Sequence, residues 1–180
     1  LSATMQVGTI ASLALDDSIA MRVRFEGAVP PQSQLYFRGP VFSTFDGREW
    51  RPLSRRLGTQ FPPPAVQRPA NLQTRGEPVR YEVTMEPNNR PWLLTMDAAA
   101  SPPDVPGFEA VMTADLQWVA SRPVTDLLRY RAQSHPEFRH GPATAAGVLR
   151  ELRELPAGFN PRTLALAAQM RRDPALANSQ

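Results

Sequence analysis

The sequence predicts a mainly β protein: an antiparallel sandwich or open barrel of about six to eight short strands, with one or two short helices at the C-terminal end. Three observations predict it. Twenty prolines in 180 residues are about twice ordinary usage, which is near 5%. They disfavour long helices throughout and favour strands joined by stiff loops. Strict apolar/polar alternation recurs at Ile19–Glu26 and Val79–Glu86, the two-residue period of a strand with one buried face. Helical spacing enters only after Ser134.

Taken in order, residues 1–17 contain Met5, Val7, Ile10, Leu13 and Leu15 without a clean period, so a short helical turn and an extended lead-in both fit. Ile19, Met21, Val23 and Phe25 then form one strand face against Ala20, Arg22, Arg24 and Glu26, and Gly27 with Pro30-Pro31 ends it. Leu35–Pro52 holds two extended, aromatic-rich pieces around Gly39-Pro40, with Asp46-Gly47 marking a tight hairpin turn. Tyr36, Phe37, Phe42, Phe45 and Trp50 read as core anchors. Arg48, Glu49, Trp50 and Arg51 are candidate interdomain or ligand contacts. Residues 51–78 read as a long Pro- and Arg-bearing surface loop with room for one short extended piece.

Val79, Tyr81, Val83 and Met85 face inward on the next strand. After the Pro87–Pro91 turn, Trp92–Met96 reads as a buried strand antiparallel to its predecessor. Phe108–Thr113 and Leu116–Ala120 are short strands about Ala114-Asp115, and Thr125–Gln133 is another. A connector over 136–159 includes helix-forming content at Ala143–Leu155. Asn160-Pro161 places an N-cap before a proline at the first helical position of a helix running to Arg172. Leu164, Leu166, Ala167 and Met170 are its apolar residues, and Arg171 and Arg172 suit its negative end. The organisation expected is a β-rich domain at 1–135, a connector at 136–159, and at 160–180 a helix that either packs back on the sheet or starts another unit. The abrupt start at Leu1 and the polar Asn178-Ser179-Gln180 end read as an excised piece.

Composition excludes several kinds of chemistry. All twenty basic residues are arginine, yet the formal charge is only +3, too small a balance for a nucleic-acid partner. With no cysteine, disulfides, thiol nucleophiles and zinc–thiolate sites are excluded from these residues. No run approaches the ~18 apolar residues of a membrane span. Nucleophile-elbow, phosphate-loop and H-E-x-x-H patterns are absent. His135 and His140, with Glu137 between them, read as solvated connector residues in preference to metal ligands, and Asp16-Asp17 as a turn or helix start. Catalytic residues, cofactor and metal are therefore all expected to be none.

Several stretches together resemble one family. They are Thr4-Met5 with Ile10–Leu15, Ala20–Phe25, Leu35–Val41 and Phe45–Arg51, followed by Tyr81–Val83, Trp92–Leu94 and Gly158–Thr163. They are similar, in this order, to the TgpA-like group of bacterial membrane-anchored, transglutaminase-like proteins. The resemblance implies a larger parent on the periplasmic side of the bacterial inner membrane, with membrane helices, a β-rich domain and a papain-like core. That core would use a Cys–His–Asp set in which a thiolate attacks an acyl group. None of those residues maps onto this sequence. The resemblance thus implies a non-catalytic accessory domain whose partner is the downstream transglutaminase-like domain of the same chain. Envelope proteins or peptidoglycan are further partners, and an envelope glycan- or peptide-binding β-module is the alternative.

Overall fold

The structure, a computed structural model, describes residues 4–6, 8–9, 15–52, 72–113, 115–141 and 152–174. Most of the opening apolar run, the loop over 53–71 and most of the helix expected at Ala143–Leu155 lie outside them. The elements are β1 (Met5–Gln6), β2 (Met21–Phe25), β3 (Phe37–Arg38), β4 (Thr44–Phe45), β5 (Glu49–Arg51), β6 (Gln73–Arg75) and β7 (Val79–Met85). They continue with β8 (Trp92–Leu93), β9 (Thr95–Met96), β10 (Ala110–Met112), β11 (Trp118–Ala120), β12 (Leu128–Ser134), β13 (Glu137–Arg139) and helix α1 (Pro161–Arg172). The mainly β, antiparallel class holds, and none of the sheets closes into a barrel. The strands are more numerous and shorter than the alternation suggests, several of them only two or three residues long.

The centre is the antiparallel sheet β12–β7–β2. Its inner face carries Tyr81, Val83, Met85, Tyr130, Ala132 and Ser134, all buried. Its outer face carries Arg24, Arg129 and Arg131 around Glu82, and Arg22 paired with Glu86. Two strongly alternating strands thus meet in register, and each large apolar side chain they bury contributes roughly 1.5–3 kcal/mol. Trp118, Val119, Val124, Leu93 and Met96 fill the opposite side of the core.

Trp92–Met96 departs from the expected hairpin with β7. Both edges of β7 are already taken, by β2 and β12. The segment instead crosses the core and splits at Leu94: β8 pairs with β11 and β9 pairs with β3. Side chains hold the break. The Tyr130 hydroxyl donates to the Leu94 carbonyl at 2.7 Å, and the Trp118 indole N–H to the Ala99 carbonyl at 2.8 Å. The Ser134 hydroxyl donates to the Met96 carbonyl at 2.8 Å, and a serine has one proton to give. Tyr81 therefore donates to Ser134 Oγ at 2.9 Å, while its own oxygen accepts the Met96 N–H at 2.7 Å. The cycle leaves no polar atom of the three groups unmet.

The aromatic stretch sits at the rim of this core and does not form it. Tyr36 is 60% and Trp50 37% exposed. Phe37 reaches the core edge-on to Tyr81, with ring centroids 6.0 Å apart, and Phe45 stacks on Trp50 at 4.8 Å. The core anchors are instead Tyr81 and Tyr130, whose hydroxyls have partners deep in the core, which lets them go in. The connector after Ser134 also gains structure: Glu137–Arg139 is β13, paired with β6, the short extended piece allowed within 51–78. Three residues are too few for a period to show. α1 begins as expected with proline in its first turn, but Asn160 is left-handed (φ 53°) and gives no side-chain cap. Only its carbonyl serves the helix, accepting the Leu164 N–H at 3.1 Å.

Candidate interdomain surface

The surface is built on the β4–β5 hairpin, in which Phe45 faces Trp50 and Thr44 faces Arg51. Asp46 closes the turn: its Oδ1 accepts the N–H groups of Glu49 at 2.9 Å and Arg48 at 3.0 Å. Those bonds, with Arg51 beside them, hold the Asp46 carboxyl below the usual carboxylate range. Gly47 follows at φ +102°, a conformation that costs a residue with a Cβ. Arg51 reaches Asp46 at 2.7 Å and pairs with Glu49. Glu49 also accepts from Gln6 at 3.3 Å, across the β1–β5 pairing that sets Gln6 opposite it. Hydrogen bonding from Thr4, then Arg51 and Gln6, lowers the Glu49 carboxyl.

The four sequence-predicted residues therefore divide. Glu49 and Arg51 brace the hairpin and tie it to the N-terminal segment. Arg48 and Trp50 are exposed on it. Sequence reasoning did not single out Phe159 for this surface, although it lies one residue before the Asn160-Pro161 helix start. Its ring lies flat over Gly47: a Cβ added there would stand 2.6 Å from Phe159 Cγ and Cδ1. The Gly-Phe-Asn-Pro run at 158–161 is the signal that could have found it, an aromatic set just outside a helix. Beyond this contact α1 buries nothing, and Leu155, Leu164, Leu166 and Met170 are all exposed.

A cleft of about 790 Å³ opens next to this surface, walled by Met5, Ile19, Phe42 and Met85 with Asp16 and Glu86 among its polar groups. His135 and His140 do not form a centre. The Nδ1 atom of each is buried without a partner, and among the described residues no three His, Cys, Asp or Glu side chains are grouped to hold a metal.

A sequence profile of the TgpA N-terminal domain matches residues 1–140. The chain belongs to the TgpA N-terminal domain family. The protein-glutamine gamma-glutamyltransferase of Pseudomonas aeruginosa is 36% identical to it over 172 residues, covering 95% of this chain and 24% of that protein. Two crystal structures of the periplasmic domain of TgpA from the same organism, one bound to ethylmercury, superpose with TM-scores of 0.78 and 0.79 at 32% identity. They match all of this chain but only 58% and 57% of their own length. The chain thus spans only part of the length of these TgpA relatives. No helix among the described residues is long and apolar enough to cross a membrane.

Proposed function

We propose that this chain is a non-catalytic accessory domain that packs on and positions a transglutaminase-like catalytic domain in a membrane-anchored protein, on the periplasmic side of the bacterial inner membrane. The observation that carries the reading is the seat of Phe159 on Gly47. It fixes the start of a helix that buries none of its own residues, so the helix is oriented by the hairpin and left open to a further partner. The TgpA relatives supply a partner of the right kind, since about two-fifths of each solved periplasmic domain lies outside the match. The sequence supports the division of labour: acyl transfer through a Cys–His–Asp set needs a thiolate nucleophile, and this chain has no cysteine.

In this reading Arg48, Trp50, Phe159 and the apolar residues of α1 form the interdomain contact. Glu49 and Arg51 keep the hairpin rigid. The test is to express the parent protein and measure acyl transfer with and without Phe159→Ala. The 180-residue chain alone should be inactive, and the substitution should lower kcat/KM of the parent severalfold with the catalytic set untouched. Acyl transfer by the chain alone, or a parent indifferent to the substitution, overturns the proposal.

A further inference from the structure

The two edges of the central sheet differ. At β12 a bridge covers the middle of the edge: the Asp104 N–H donates to the Arg131 carbonyl at 2.8 Å and the Arg131 N–H to the Asp104 carbonyl at 3.1 Å. At β2, the opposite edge, no backbone partner covers the strand among the described residues. The parity of the ladder is fixed by two flanking bonds, from the Glu86 N–H to the Ala20 carbonyl and from the Glu26 N–H to the Arg80 carbonyl. In an antiparallel pair such bonds recur at every second residue. Ala20, Arg22, Arg24 and Glu26 therefore direct their backbone groups at β7, and Met21, Val23 and Phe25 direct theirs outward.

This edge lacks two of the usual protections, proline and a bulge. β2 has no proline, and its register with β7 runs unbroken through all five residues, without a bulge. Natural proteins normally blunt such an edge, because it is a ready template for another strand. Its side chains also sort by face. The Arg22 and Arg24 side chains, paired with Glu86 and Glu82, remain 57% and 75% exposed on the outer face. Met21, Val23 and Phe25 pack partly against the core on the other. The residues leading into β2, including Asp16, Ser18 and Ile19, wall the cleft of about 790 Å³.

We infer that the β2 edge and this cleft form a docking site for an extended peptide. The peptide adds as a fourth strand, sets acidic side chains against Arg22 and Arg24, and lodges an apolar side chain in the cleft. Three observations select a peptide over a glycan: the outward N–H and C=O groups repeat at strand spacing, the flanking charges alternate with the strand period, and only a polypeptide backbone satisfies such a row. The site is independent of the accessory role proposed above and is tested in the chain alone.

The probe is an acetylated, amidated heptapeptide of alternating Glu and Val, titrated into the isotope-labelled 180-residue chain and followed by amide hydrogen exchange. In the free chain the amides of Met21, Val23 and Phe25 should exchange rapidly and those of Arg22 and Arg24 slowly. Peptide should protect the first set at least tenfold and leave the second set nearly unchanged. Methylating alternate backbone nitrogens of the probe should abolish that protection. A double substitution, Arg22→Glu with Arg24→Glu, should weaken the Glu/Val peptide roughly three- to tenfold, as two exposed charge pairs would, and reverse the preference toward a Lys/Val peptide. Slow exchange of Met21, Val23 and Phe25 in the free chain, no protection at millimolar peptide, or equal protection by the methylated probe overturns the proposal. Because both substitutions lie on an exposed face, a change in affinity is separable from unfolding by the unchanged exchange of β12.

Discussion

Tyr130 and Tyr81 do different work with the same hydroxyl. Tyr130 satisfies a single carbonyl, that of Leu94, at the point where the strand breaks. Replacing it with phenylalanine leaves that carbonyl buried and unmet, which costs about 1–3 kcal/mol. Urea unfolding should therefore show Tyr130→Phe less stable by that amount with an unchanged m value. Tyr81 belongs to the cycle with Ser134 and Met96, and burial pushes its hydroxyl up to about 12 from 10.0. Burial raises Tyr130 as well. Below pH 10 the folded and unfolded chains both hold the Tyr81 proton, so its contribution to stability is fully present. Between pH 10 and about 12 only the folded chain holds it, so stability falls as pH rises. The loss from this one group reaches about 2–3 kcal/mol. A stability profile over pH 9–12 should show that decline. Tyr81→Phe should make it shallower, leaving the part due to Tyr130, while lowering stability at neutral pH through the unmet Met96 N–H.

The β4–β5 hairpin and α1 are coupled through one glycine. Gly47→Ala meets two obstacles, a φ of +102° and the Phe159 ring in the space a Cβ needs. It should destabilise the chain by about 1–2 kcal/mol and release the connector before α1. Phe159→Ala should release the same connector and leave the turn intact. Limited proteolysis distinguishes the two: both variants should be cut more readily between Leu152 and Pro161, and only Gly47→Ala should also expose the hairpin. α1 itself has no side-chain cap and no buried residue, so packing adds nothing to its intrinsic helicity. An isolated helix of about a dozen residues is marginal in water. Hydrogen exchange should find α1 the least protected regular element of the 180-residue chain, far below β7 and β12. It should become protected in the parent protein if the proposed partner packs on it.

Across the molecule, what could be read from the sequence follows the length of each pattern. β2, β7 and β12 were legible because five to seven residues of strict alternation leave few alternatives, and the Asp46-Gly47 turn because its chemistry is local. The pairing of Trp92–Met96 was not legible. Its apolar run states burial but not which neighbour is free, and that depended on β2 and β12 having occupied β7. The aromatic stretch misled for a related reason: ring content signals burial, yet depth is set by where a strand ends up, and β3 pairs only with the two-residue β9. At the candidate surface the sequence singled out the β4–β5 hairpin but not Phe159, whose contact with Gly47 spans more than a hundred residues. The family, by contrast, was legible from ordered short motifs, and the profile match over residues 1–140 bears it out.

The segment from Leu94 to Ala99 has one more consequence, for the time course of folding. Its tethers come from residues 15, 36, 38 and 19 positions away along the chain. Each requires a loop to close before any bond forms, and chains rich in such contacts fold slowly. The β12–β7–β2 sheet must already stand before these tethers have anything to hold. They should therefore be absent at the rate-limiting barrier, and Tyr130→Phe should speed unfolding while leaving the refolding rate almost unchanged.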